Sequence, residues 1–320
     1  MNCFGRWLRQ PQAVFLRRAV FQIHLWTGLA IGLYVIVLCV TGSILVYRNE
    51  LYIFFSPKPL LVAGSGAPLA VDDLKNAAGR QYAGYEIEDI RPGKSSNQAV
   101  EVTLRHGQRL KRRLFNPFTG ADLGDPLPLG FRATAWLRDL HDNLLYGRTG
   151  RRVNGVGAAL LVMLSLSGAV IWWPGIRGWR RSLIIERASN WKRVNWSVHS
   201  ALGFWFFAFV LMWAVTGLYL SFPALFSYVF DYLEPYDPDK PERFVDSVEY
   251  WLAYLHFGRL GGRGIPGCGR GLCDSMTKFG WAVFGMVPPV MVATGAIMWW
   301  NRVLAPFVRQ PVKSEAPEYT

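Results

Sequence analysis

The chain has 320 residues and a net charge of +13, yet half of it is hydrophobic and it includes 14 Trp and 20 Phe. The apolar residues gather into long uncharged runs, which excludes a pair of ordinary soluble domains. The basic residues cluster at the ends of those runs, as a topology signal rather than a nucleic-acid-binding face, and no nucleic-acid partner is expected.

Residues 1–18 form a tail with Arg6, Arg9, Arg17 and Arg18. The first run, 19–47, is long enough to cross a bilayer, which takes roughly 18–20 apolar residues. It has no small-residue cleavage site and is expected to stay as a span. His24 lies near its start and Thr41-Gly42 near its end.

Residues 48–131 read as a soluble α+β insert. Positions 68–82 have helical patterning with Asp72 and Asp73 in the first turn, and 86–91, 99–105 and 109–115 alternate as strands. His106-Gly107-Gln108 makes a hairpin turn, and His106 is given no role. Asn116 to Gly120 reads as a further turn before 121–124. Lys94, Arg109, Lys111, Arg112 and Arg113 suit either an anionic ligand or a solvated strand face.

Residues 132–176 hold an amphipathic segment, Leu137-x-x-Leu140-His141, and a second span closing on Ser167-Gly168 and Trp172-Trp173. A basic loop follows at 177–193, with Arg177, Arg180, Arg181, Arg187, Lys192 and Arg193. The third span, 194–222, opens with His199 and Gly203 and closes on Thr216-Gly217. The loop 223–278 carries Leu252-x-x-Leu255-His256, then Cys268 and Cys273, which an oxidising compartment would join. As a metal site the two cysteines supply only two ligands. Cys3 and Cys39 do not look reactive. The fourth span, 279–301, closes on Thr294-Gly295 and Trp299-Trp300, and the tail 302–320 carries Arg302, Arg309 and Lys313. Both termini and the loop 177–193 are basic and fall on one side, which the positive-inside rule makes cytoplasmic. The fold expected is an all-α polytopic membrane protein of four transmembrane helices with a small α+β insert.

The second half repeats the first. His24 to Thr41 and His199 to Thr216 have the same spacing, with Gly28 and Gly203 one turn beyond each histidine. Since 18 residues make about five turns, His24 shares a face with Gly42 and His199 with Gly217. Leu-x-x-Leu-His recurs at 141 and 256, and Gly-Ala-x-x-Trp-Trp at 168 and 295. Corresponding spans run in the same direction, so the halves are expected to be parallel repeats about an axis along the membrane normal. That axis pairs His24 with His199 near the cytoplasm and His141 with His256 near the outer surface.

Two histidine pairs at two depths predict two bis-histidine b-type haems, with Gly28, Gly203, Gly42 and Gly217 lining their sites. There is no Cys-x-x-Cys-His for covalent attachment. The bland alternatives are capped histidines, Gly28-x-x-x-Gly32 as a simple helix contact, and tryptophans as interfacial anchors. Two considerations weigh for ligation: ionisable groups in spans are costly, and four of the five histidines occupy repeat-matched positions.

On these residues the chain resembles the PepSY-associated transmembrane family. The histidine and Thr-Gly spans, the Leu-His segments and the insert ending Phe-Asn-Pro-Phe-Thr-Gly-Ala-Asp-Leu-Gly carry the resemblance from His24 to Trp300. It implies a dihaem reductase of the bacterial inner membrane with its PepSY-like insert in the periplasm, reducing a hydroxamate-type ferric siderophore and releasing Fe(II). No nucleotide fingerprint is present, so the electron donor is expected to be external, a quinol or a cytoplasmic reductase. Two other readings stay open: a cofactor-free membrane protein whose insert binds or regulates a periplasmic partner, and a siderophore or iron permease component.

Overall fold

The computed structural model describes residues 3–64, 66–176, 178–187, 190–240, 242–260, 268–269 and 271–308. Arg177, Arg309 and Lys313, counted above with the basic clusters, lie outside the described residues. The protein is mostly helical with one small antiparallel sheet. Its chain divides into two units, one comprising the chain up to Tyr47 and from Leu137 onward, the other Arg48–Trp136.

The first unit opens with α1 (Cys3–Arg9) and α2 (Phe15–Leu45). The second holds α3 (Arg48–Phe54), α4 (Val71–Gln81), strands β1 (Glu86–Arg91), β2 (Val100–His106), β3 (Arg109–Phe115) and β4 (Asp122–Gly124), and the start of α5 (Leu129–Asn143). The first unit then resumes with α6 (Gly147–Trp172), α7 (Trp191–Trp205), α8 (Phe207–Ser221), α9 (Pro223–Leu233) and α10 (Phe244–His256). It ends with α11 (Gly271–Gly285), α12 (Val287–Trp299), a π-helical turn at Trp300–Leu304 and α13 (Ala305–Val308).

Among the described residues three helices are long and apolar enough to cross a membrane: Phe15–Leu45, Gly147–Trp172 and Gly271–Leu304. A fourth crossing is made if α7 and α8 count as one span, but they are bent by 62°. This differs from the straight third span expected over 194–222. Hydropathy sees an unbroken apolar run, whereas Phe206 leaves helical geometry at φ −105°, ψ 4°. Polar contacts also hold α7 apart from a simple lipid-facing span. The Trp205 indole donates to Leu183 O at 3.0 Å, and Ser197 Oγ accepts from Glu186 N at 3.1 Å, tying α7 to the preceding loop.

Within this unit α6 packs against α2 and α8, α12 against α2 and α7, and α10 against α8. Small residues allow the close approaches. A Cβ on Gly157 would collide with the Tyr34 ring and one on Gly155 with Phe222. Leu33, Val156 and Leu166 stay exposed, as a helix surface facing lipid requires.

The insert is a four-stranded antiparallel meander in the order β1-β2-β3-β4. Val100, Val102, Leu104 and Phe115 are buried against Leu74 and Ala78 of α4. His106 pairs with Arg109 across a two-residue turn, which Gly107 permits by adopting φ +59°. The short β4 is held by Asp122, which takes hydrogen bonds from Arg113 Nη2 (2.6 Å) and Tyr82 Oη (2.5 Å).

Candidate functional site

The four repeat-matched histidines meet in two pairs. The rings of His24 (α2) and His199 (α7) have centroids 6.5 Å apart, and those of His141 (α5) and His256 (α10) 6.2 Å apart. His106, the fifth, packs instead against Tyr85 in the insert.

Each histidine is held in the same way, through Nδ1. His24 Nδ1 lies 3.1 Å from Leu164 O and 3.1 Å from Ser167 Oγ. His199 Nδ1 lies 3.0 Å from both Met291 O and Thr294 Oγ1. A carbonyl only accepts, so in both residues Nδ1 carries the proton. His141 Nδ1 lies 3.0 Å from Thr41 Oγ1, and His256 Nδ1 2.9 Å from Thr216 Oγ1. Those hydroxyls donate to the carbonyls of Val37 (2.7 Å) and Met212 (2.8 Å) one turn back, so they accept from Nδ1–H. All four imidazoles are thereby set in one tautomer, which leaves the Nε2 lone pair available. Such a hydrogen bond on the far nitrogen is how a metal-ligating histidine is oriented and made more basic.

A glycine lies beside each ring. A Cβ on Gly42 would sit 2.8 Å from His141 Cε1, on Gly168 3.1 Å from His24 Cε1, on Gly295 3.4 Å from His199 Cε1, and on Gly217 3.7 Å from His256 Cε1. The hydroxyl and glycine come from one dipeptide each time: Thr41-Gly42, Ser167-Gly168, Thr216-Gly217 and Thr294-Gly295. The sharing of faces read from the sequence therefore takes a crossed form. Gly42 and Gly217 serve the histidines of the other pair, while His24 and His199 are served from α6 and α12. Gly28 and Gly203 stand one step back, in ordinary contact with Leu164 (3.5 Å) and Met291 (3.4 Å). The sequence marks Ser167-Gly168 and Thr294-Gly295 as span endings but gives no role to the hydroxyls of Ser167 and Thr294. Their signal was the recurrence of a hydroxyl–glycine dipeptide once per histidine.

Two buried asparagines brace the frame. Asn154 Nδ2 donates to His141 O at 2.6 Å and Asn195 Nδ2 to Thr294 O at 2.9 Å. Beside His199 an open cleft of about 370 Å³ is lined by Trp191, Val194, Asn195, Val198 and Thr294. His24 and Gly42 lie 18 residues apart on α2, so the two pairs are separated by about 27 Å along that helix. In the pair His141 and His256, burial, reinforced by His141, pushes His256 down to about 3. Burial likewise lowers His141, against a partial opposing pull from Asp142.

Two imidazoles sharing one metal through Nε2, each about 2 Å from it, have ring centres roughly 6 Å apart. Among the described residues no group of three or more His, Cys, Asp or Glu is placed to hold a bare ion. Each pair of imidazoles can therefore supply two ligands to a metal whose other positions are filled from elsewhere.

In the insert a separate cleft of about 340 Å³ is lined by Lys58, Arg91, Gln98, Glu101 and Arg112 among others. Of the basic residues noted there, Arg112 pairs with Glu101 at 3.5 Å, Arg113 with Asp122, and Lys111 lies 4.9 Å from the Tyr82 ring centroid. Cys268 and Cys273 are joined as a disulfide.

The profile of the family described as the PepSY-associated TM region matches residues 21–243, more than half the chain. It takes in His24, His141 and His199. No curated protein matches the chain.

Proposed function

The chain belongs to the PepSY-associated transmembrane family, and from that premise and the paired histidines we propose that it is a dihaem b-type reductase. In this reading it lies in the bacterial inner membrane and delivers electrons to a ferric siderophore of hydroxamate type in the periplasm, releasing Fe(II). The observation that carries the proposal is the duplicated pair of imidazoles. Each has its Nδ1 satisfied, and the rings are spaced 6.5 and 6.2 Å apart.

His24 and His199 would hold the inner haem and His141 and His256 the outer one. Haem held by these histidines would supply a one-electron couple. The chain supplies the rest. Ser167, Thr294, Thr41 and Thr216 fix the imidazoles, the glycines let flat surfaces approach, and the apolar helices keep water out. The separation of about 27 Å along α2 is close to the roughly 30 Å hydrocarbon thickness, so the pairs suit transfer from one face to the other. The same histidine, hydroxyl and glycine arrangement in both halves supports parallel repeats of two crossings each, with α7 and α8 as one bent span. Both termini are then cytoplasmic and the insert periplasmic. The electron comes from a quinol or a cytoplasmic reductase. One electron converts chelated Fe(III) to Fe(II), which hydroxamates hold far more weakly, and no bond in the ligand is broken.

The test uses proteoliposomes with a quinol as donor, an external ferric hydroxamate and a chromogenic Fe(II) trap. Fe(II) should form only with haem-loaded protein. Rapid haem reduction with no Fe(II) from any ferric hydroxamate offered would remove the siderophore assignment.

A further inference from the structure

Eight buried side-chain polar atoms lack a hydrogen-bond partner among the described residues, and half of them lie at one end of the first unit. They are Arg17 Nε and the indole nitrogens of Trp172, Trp173 and Trp299. All four are N–H donors. Buried donors are almost always satisfied, so a cluster of orphans calls for a missing acceptor.

Their positions relate them to the inner pair. Trp172 follows Gly168 by one helical turn on α6, and Gly168 abuts His24. Trp299 follows Gly295 by one turn on α12, and Gly295 abuts His199. The two indoles thus occupy equivalent places, one turn or about 5.4 Å beyond the glycine at each inner histidine. Trp173 adjoins Trp172, with ring centroids 6.5 Å apart. Arg17 reaches the end of α6, where its Nη2 donates to Ile171 O at 2.6 Å and leaves Nε–H to spare. Trp300, in contrast, is exposed and suits an interfacial anchor. Interfacial anchoring does not explain indole N–H groups closed off from solvent.

We propose that Arg17, Trp172, Trp173 and Trp299 form an oxyanion cradle that receives the propionate carboxylates of the inner haem. This rests on the haem reading above. An anion suits these donors best, because a guanidinium N–H and three indole N–H groups are all left unpaired around the inner pair. It must also belong to something held between His24 and His199, because the indoles repeat about that pair. A phospholipid phosphate has the same chemistry, and the experiment separates the two sources.

The test is haem retention by the full-length protein in detergent, in a His256→Ala background that keeps only the inner site. Loss to a haem scavenger is timed for ordinary haem and for its dimethyl ester, whose propionates cannot accept as anions. Trp172→Phe with Trp299→Phe keeps the rings and removes two donors, and Arg17→Lys keeps the charge but not Nε–H. Ordinary haem should leave these variants on the order of ten-fold faster than their parent, given the strength of hydrogen bonds to charged groups. The ester should leave parent and variants at the same rate. Equal retention of ordinary haem by parent and variants would overturn the cradle alone, as would an equal penalty with the ester. A protein that takes up no haem would overturn the cradle together with the reading beneath it.

Discussion

Thr216 offers a sharp test of how the outer pair is built. Its side chain is 1% exposed, its hydroxyl donates to Met212 O, and it accepts from His256 Nδ1–H at 2.9 Å. Thr216→Val preserves shape and removes the acceptor, leaving a buried imidazole N–H unpaired. Such a loss costs about 1–3 kcal/mol, or roughly 5–150-fold in an equilibrium constant. That range overlaps the roughly 10–100-fold loss of metal affinity when a histidine ligand loses its supporting partner. Haem content and the rate of haem loss are the measurements, with two separate redox midpoints showing which site is affected. The expected result is weakened or absent outer haem, an unaltered inner haem, and recovery in Thr216→Ser. Outer haem held as tightly in Thr216→Val as in the parent would refute the reasoning, and so would equal damage from Val and Ser.

Glycine substitution should separate the two glycine classes. Gly42→Ala forces a methyl to 2.8 Å from His141 Cε1, whereas Gly28→Ala meets only the tip of Leu164 at 3.5 Å. Haem counting should find the outer haem depleted roughly ten-fold or more in the first and both haems kept in the second. In the insert, burial by itself would raise the Asp122 carboxyl, but hydrogen bonds from Arg113 and Tyr82 outweigh it and hold the group below its usual value. The unfolded chain then takes up this proton first as the pH falls. The contribution of Asp122 is accordingly complete above a carboxylate's ordinary pKa of about 3.9 and is lost as the pH drops through the lower folded value. Asp122→Asn should cost about 1–3 kcal/mol near neutrality and flatten that acid limb, as read by hydrogen exchange in β3 and β4.

The repeat made much of the frame legible before any coordinates. Equal spacing from His24 to Thr41 and from His199 to Thr216 pointed to matched positions, and alternation marked the strands of the insert. The hydroxyl contacts were harder to see. Ser167 holds His24 across a separation of 143 residues, and one-dimensional periodicity records which face a residue occupies on its own helix, not which helix comes to meet it. The same blindness hid the 62° bend between α7 and α8, because hydropathy carries no term for the backbone break at Phe206. Leu144 and Leu145 are a further case, with φ values of 50° and 66° just after His141. Nothing in their side chains favours the left-handed region. They adopt it because α5 ends there, with Leu144 N and Leu145 N donating back to Leu140 O and Asp139 O.

The most direct measurement is the haem content of the purified full-length protein, counted by pyridine haemochrome and followed by air-oxidised and dithionite-reduced spectra. The account predicts two low-spin b haems per chain. Substituting His24 or His256 singly should each remove one. A colourless protein from haem-replete cells would contradict it, and would leave the insert as the part that carries function.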